Sequence, residues 1–91
     1  MPAFSTAARI ETVASRRLGA STVIVNLQTN DILELNETGS RIWELLPESG
    51  AVPHLASTLT AEFDIEQVEA EREVTRLLEQ LASQGVVRLE P

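Results

Sequence analysis

The sequence predicts an α+β fold in which a small antiparallel sheet of two or three strands precedes a three-helix bundle. Three observations carry this prediction. Alternating segments rich in β-branched residues occupy the first third of the chain, apolar residues at helical spacing occupy the remainder, and turn or cap residues separate the two regimes. The 91 residues suffice for one domain that buries about 60% of its unfolded surface, a core too small for a deep enclosed active site. Apolar residues make up 43% and charged residues 23%, an ordinary balance for a globular protein.

Residues 1–8 show neither period and read as a mobile lead-in to a domain at 9–91. Ile10-Glu11-Thr12-Val13 is the first strand candidate, with poor alternation. Thr22–Leu27 is a stronger one, because Val23, Val25 and Leu27 alternate onto one face expected to be buried. Gln28-Thr29-Asn30-Asp31 supplies turn chemistry, since Asn and Asp tolerate left-handed backbone. Ile32-Leu33-Glu34-Leu35 then completes a hairpin, with Leu33 and Leu35 directed to the core and Ile24 and Ile32 on the opposite face.

Asn36 is placed to cap a helix whose first turn holds Glu37 and whose apolar side is Ile42, Trp43, Leu45 and Leu46. Pro47 and Gly50 end it. A second helix starts near Pro53 and buries Leu55, Ala56, Leu59 and Phe63. Asp64 and Gln67 form a plausible capping box for a third helix that runs to about Ser83 and stops at Gly85. Its core stripe is Ala70, Val74, Leu77, Leu78 and Leu81. One shoulder of the stripe, with Glu66, Glu73, Gln80 and Gln84, is polar. The other mixes Val68, Thr75 and Ala82 with Glu71 and Glu79, as the lip of a shallow groove would, although a wide apolar face gives the same pattern. Val86–Leu89 offers a last short strand. The element order resembles a winged-helix arrangement, which by itself implies no DNA binding.

Seven arginines, no lysine and fourteen acids give a formal charge of −7, which repels nucleic acid and anionic lipid. The chain has no cysteine, so disulfides, thiolate metal sites and cysteine catalysis are excluded. No segment has the form of an export signal or membrane span, and a cytoplasmic location is expected. His54 stands alone, so a metal site would need carboxylates only. The acids between Glu62 and Glu73 lack the Asp-x-Asp-x-Asp-Gly grammar of a calcium loop and suit the first turns of a helix. The four scattered glycines form no phosphate loop, and Trp43 reads as a core anchor. No catalytic set and no cofactor site emerge; the chain reads as a binding protein rather than an enzyme.

Leu35-Asn36-Glu37-Thr38-Gly39-Ser40-Arg41-Ile42-Trp43-Glu44-Leu45-Leu46 resembles the strand-to-helix signature of PqqD-like proteins. Leu55–Ile65 is similar to that family's second helix and turn, and Val74–Val87 to its final helix and Gly-apolar exit, so the resemblance spans about residues 21–89. The resemblance implies a precursor-peptide recognition element, a protein that binds the leader of a ribosomally made peptide and presents it to processing enzymes. The implied enzyme is a leader peptidase in lasso-peptide pathways or a radical enzyme in pyrroloquinoline-quinone pathways. A winged-helix nucleic-acid binder is the alternative of another class, disfavoured by the acids of the third helix.

The family's groove lies between the second hairpin strand and the third helix. By that resemblance the leader adds as a strand along Ile32, Leu33, Glu34 and Leu35. Val68, Thr75, Ala82 and Leu78 are then expected as the apolar floor, with Glu71, Arg72 and Glu79 as charged contacts at the rim.

Overall fold

The computed structural model describes residues 4–91. The first strands are β1 (Thr6–Arg9), β2 (Val13–Leu18), β3 (Ser21–Asn26) and β4 (Asp31–Leu35). They are followed by α1 (Glu37–Leu45), α2 (Val52–Glu62), α3 (Gln67–Ser83) and β5 (Val87–Glu90). The strands form two antiparallel sheets, a three-stranded β2-β3-β4 meander and a two-stranded β1-β5 ribbon.

The start of the chain departs from expectation. The strand expected at Ile10–Val13 falls largely on the connection between β1 and β2. The expected lead-in corresponds, from Phe4 onward, to ordered structure; Met1 to Ala3 lie outside the described residues. Phe4 and Ala7 are buried, and β1 pairs with β5 from Thr6↔Glu90 to Arg9↔Val87. On its other side β1 is held by Ala7 N–H donating to Gly50 O at 3.0 Å and Val52 N–H donating to Ser5 O at 3.1 Å. Thr6-Ala7-Ala8-Arg9 has little strand propensity of its own; partners far along the chain impose the conformation.

The hairpin forms where expected, with the opposite phase for its first strand. Thr22, Ile24 and Asn26 face inward, Ile24 with no exposed surface, whereas Val23 and Val25 are half-buried and Leu27 is exposed. The register explains the phase: Ile24 lies opposite Leu33 and Thr22 opposite Leu35, so inward-facing Leu33 and Leu35 require an inward Ile24. A run of three β-branched residues leaves that phase open. Asn26 is tolerated inside because its amide donates to Gln84 O at 3.1 Å and its Oδ1 accepts from Gln28 N–H at 3.0 Å. Asn30 takes the left-handed conformation at φ 64° that closes the four-residue turn.

β4 passes into α1 with no linker. Asn36 Oδ1 accepts from Gly39 N–H at 2.9 Å and from Thr38 Oγ1–H at 3.1 Å, a cap that stabilises by about 1 kcal/mol. α3 starts at Gln67 after Glu66, with no side-chain cap bond, so the capping box expected from Asp64 does not form. Gln67 instead donates along the helix to Glu71 at 3.0 Å. At the other end Gly85, at φ 77°, brings Val86 N–H to Leu81 O and turns the chain into β5.

The core unites Ile24 of β3, Ile42 and Trp43 of α1, Leu55 and Leu59 of α2, and Val74, Leu78 and Leu81 of α3. Trp43 is the anchor expected. Its indole N–H donates to Ser15 Oγ at 3.0 Å, and the Arg9 guanidinium stacks on its ring at 4.2 Å from the centroid. Arg9 also donates to Trp43 O. Burial lowers the Arg9 pKa, and the charge of Glu44 opposes the shift.

Candidate functional site

β4 is an edge strand. In an antiparallel ladder successive residues direct their main-chain groups to alternate sides. Leu27 N–H donates to Thr12 O at 3.0 Å on the β2 side, so the odd residues of β3 face β2 and its even residues face β4. Leu33 and Leu35, opposite Ile24 and Thr22, are therefore engaged with β3. The N–H and C=O groups of Ile32 and Glu34 are left pointing outward along the open edge, ready to pair with another strand.

Beside this edge lies a cleft of about 590 Å³, within the range of ligand-binding sites. Glu34 and Leu35 of β4 form one wall, continued by Asn36, Thr38 and Gly39 at the start of α1. Ile42 and Leu59 lie along it, with Phe63, Asp64 and Ile65 at the α2–α3 turn. The opposite wall is one shoulder of α3: Glu69, Arg72, Glu73, Arg76, Leu77 and Gln80. Gly39 permits the close approach of the two walls. A Cβ at that position would lie 3.3 Å from Leu35 Cβ and 3.5 Å from Leu77 Cδ2.

The sequence-derived site is brought together only in part. Glu34, Leu35 and Arg72 line the cleft, and Ile32 and Leu33 belong to the same strand. Leu78 has no exposed surface and is core, not floor. Thr75 and Ala82 are half-buried, Ala82 against the core, while Glu71 is engaged with Gln67. Val68 and Glu79 are exposed. None of these six lines the cleft, because Leu78 belongs to the core stripe and the other five occupy the shoulder of α3 on its far side.

Apolar content along α3 favours that other shoulder, whereas the apolar surface of the cleft comes from several elements. Leu77 supplies it from the edge of the stripe, Ile42, Leu59, Phe63 and Ile65 from elsewhere. Periodicity within one helix defines its core face but not which flank meets a neighbouring strand. The signal that points to the flank lining the cleft is Gly39, a residue without a side chain at the point where β4 meets α1.

The charges of the cleft are mostly carboxylates. Arg76 is engaged by Glu73 at 2.7 Å. At the edge of α2, Arg41 donates to both carboxylate oxygens of Glu62 at 2.8 and 2.9 Å, which lowers the Glu62 pKa and raises that of Arg41. Among the described residues no three His, Cys, Asp or Glu side chains are grouped to hold a metal ion, and no helix is long and apolar enough to cross a membrane. An open strand edge above an apolar, charge-rimmed cleft is suited to holding an extended peptide, with pairing along the edge and alternate side chains in the cleft.

Comparison with known proteins gives a consistent picture. The family model described as coenzyme PQQ synthesis protein D (PqqD) matches residues 21–87. No curated protein shows significant similarity in sequence. Among solved structures, the chain is similar to TbiB1 in complex with the TbiA(beta) leader peptide. The TM-score is 0.84 at 27% identity, over 89% of this chain and 94% of that one. It also shares the fold of a lasso peptide synthetase B1 complexed with the leader peptide, at a TM-score of 0.83 and 20% identity, over 92% of this chain and 99% of that one.

Proposed function

The chain belongs to the PqqD family, and from that premise we propose that it binds the leader segment of a ribosomally made precursor peptide in lasso-peptide biosynthesis. The observation that carries this reading is the open edge of β4 beside the cleft, in a fold whose solved neighbours are leader-peptide complexes. The leader adds to β4 as a fourth strand, pairing with Ile32 and Glu34, and its alternate side chains enter the cleft between Leu35, Phe63 and Leu77. From the sequence-derived set this retains β4 and Arg72.

Main-chain pairing holds the peptide with little regard to its sequence, and the cleft supplies selectivity. Ordering a disordered leader costs about 2–5 kcal/mol. A dissociation constant of about 1 μM therefore needs one or two apolar leader residues seated in the cleft to reach roughly −8 kcal/mol net. Binding without catalysis by this chain leaves the chemistry to a partner, which we assign as the leader peptidase or another modifying enzyme of the same pathway. The event is placed in the cytoplasm, where ribosomal precursors are made.

Calorimetric titration with the leader encoded beside the gene tests the proposal. Saturable binding at low micromolar concentration is expected; no binding at several hundred micromolar overturns it. The description of the matching family favours one second reading, a peptide adaptor for a radical enzyme of quinone biosynthesis. Tight binding of a quinone-precursor leader in the same titration, with none of a lasso leader, would select it.

A further inference from the structure

Five of the seven arginines are engaged within the protein. Arg17 pairs with Glu44, Arg41 with Glu44 and Glu62, Arg76 with Glu73 and Arg88 with Glu90, while Arg9 lies on the Trp43 ring. Arg16 and Arg72 have no carboxylate within 4.0 Å among the described residues. Arg16 lies on the outer face of the meander, opposite Val23. Arg72 alone of the two lines the cleft.

The setting of Arg72 makes its open guanidinium selective. It rises from α3 beside an apolar surface made by Leu35, Phe63, Ile65 and Leu77, and its planar fork matches a carboxylate through two parallel hydrogen bonds. Glu69 lies one helical turn before it and Glu73 directly after it, both in the same wall. Moving two residues along an extended strand is a step of about 6.5–7 Å, longer than a helical turn of about 5.4 Å. An acidic side chain displaced by one cleft-facing position therefore leaves Arg72. Toward the start of α3 it meets Glu69, and toward its end it meets Arg76, whose guanidinium is already engaged by Glu73. The other carboxylates of the cleft, Glu34 of β4 and Asp64 of the α2–α3 turn, form no ion pair with Arg72.

We infer that Arg72 is a specificity-determining residue, which selects an extended peptide carrying an aspartate or glutamate at the one cleft-facing position opposite it. The inference rests on the proposed strand addition at β4 and goes further by fixing the charge and register of the peptide. It also runs against the bulk electrostatics. The net charge of −7 attracts basic peptides at long range and is screened beyond about 8 Å at physiological salt, whereas Arg72 acts at contact distance.

A random-peptide display library panned on the whole protein tests this with no ligand specified in advance. Peptides captured by the wild type and lost with Ile32→Pro are those that depend on the β4 edge. In that group we expect one position enriched in Asp or Glu. The Arg72→Glu variant is expected to enrich Lys or Arg there instead, and Arg72→Gln to bind a synthetic acidic winner about tenfold more weakly. Unfolding midpoints of both variants should match the wild type, because the side chain is exposed. β4-dependent peptides with no acidic position, or an acidic preference that survives in Arg72→Glu, overturn the role of Arg72 and leave strand addition standing. A library that yields no β4-dependent peptide overturns strand addition itself, and the inference with it.

Discussion

Leu77 and Leu78 are adjacent in sequence and chemically identical, yet their places in the molecule separate stability from binding. Leu78 has no exposed surface and packs in the core, while Leu77 is half-buried and lines the cleft. Leu78→Ala is expected to cost about 2–5 kcal/mol, read from the urea midpoint, since a cavity replaces core contacts. Leu77→Ala is expected to lose less stability and to weaken leader binding severalfold in calorimetry. Equal stability losses with unchanged affinity would contradict the assignment. The stripe containing both residues is legible from spacing alone. Their division is not, because it depends on the angle at which α3 meets β4 and α1, a property of packing that no single helix encodes.

At the level of elements, β4 and its junction with α1 are the most legible part of the chain. Local chemistry fixes them: Asn30 turns, Asn36 caps, and Leu33 and Leu35 alternate. The same logic predicts the behaviour of Ile32→Pro. The Ile32 N–H lies on the open edge, so proline there removes a donor for an incoming strand without removing a ladder bond to β3. Leader affinity is expected to fall at least tenfold while circular dichroism and the thermal midpoint stay close to those of the wild type. Unchanged affinity would place the peptide elsewhere. The opposite case is β1, whose small residues carry no strand signal and are extended because β5 and Gly50 hold them. Helix α3 lies between these cases: its extent and core face follow from periodicity, whereas the flank that lines the cleft does not.

At the level of the whole molecule, selectivity is arranged over two distances, a net negative surface that acts far out and the one open arginine of the cleft, Arg72, that acts at contact. Neither follows from the fold, which is shared with structures at 20% and 27% identity. The architecture also sets an order of events in folding. The β2-β3-β4 meander and the α2–α3 pair join neighbours along the chain and can form early, whereas the β1-β5 ribbon joins Thr6 to Glu90 and closes a loop of almost the entire chain. That closure belongs on the native side of the folding barrier. Ala7→Gly, a change of roughly 1 kcal/mol in a buried strand residue, is therefore expected to accelerate unfolding in stopped-flow experiments while leaving the refolding rate nearly unchanged. Slower refolding instead would mean that the two ends of the chain meet first, and that the ribbon is the nucleus of folding rather than its clasp.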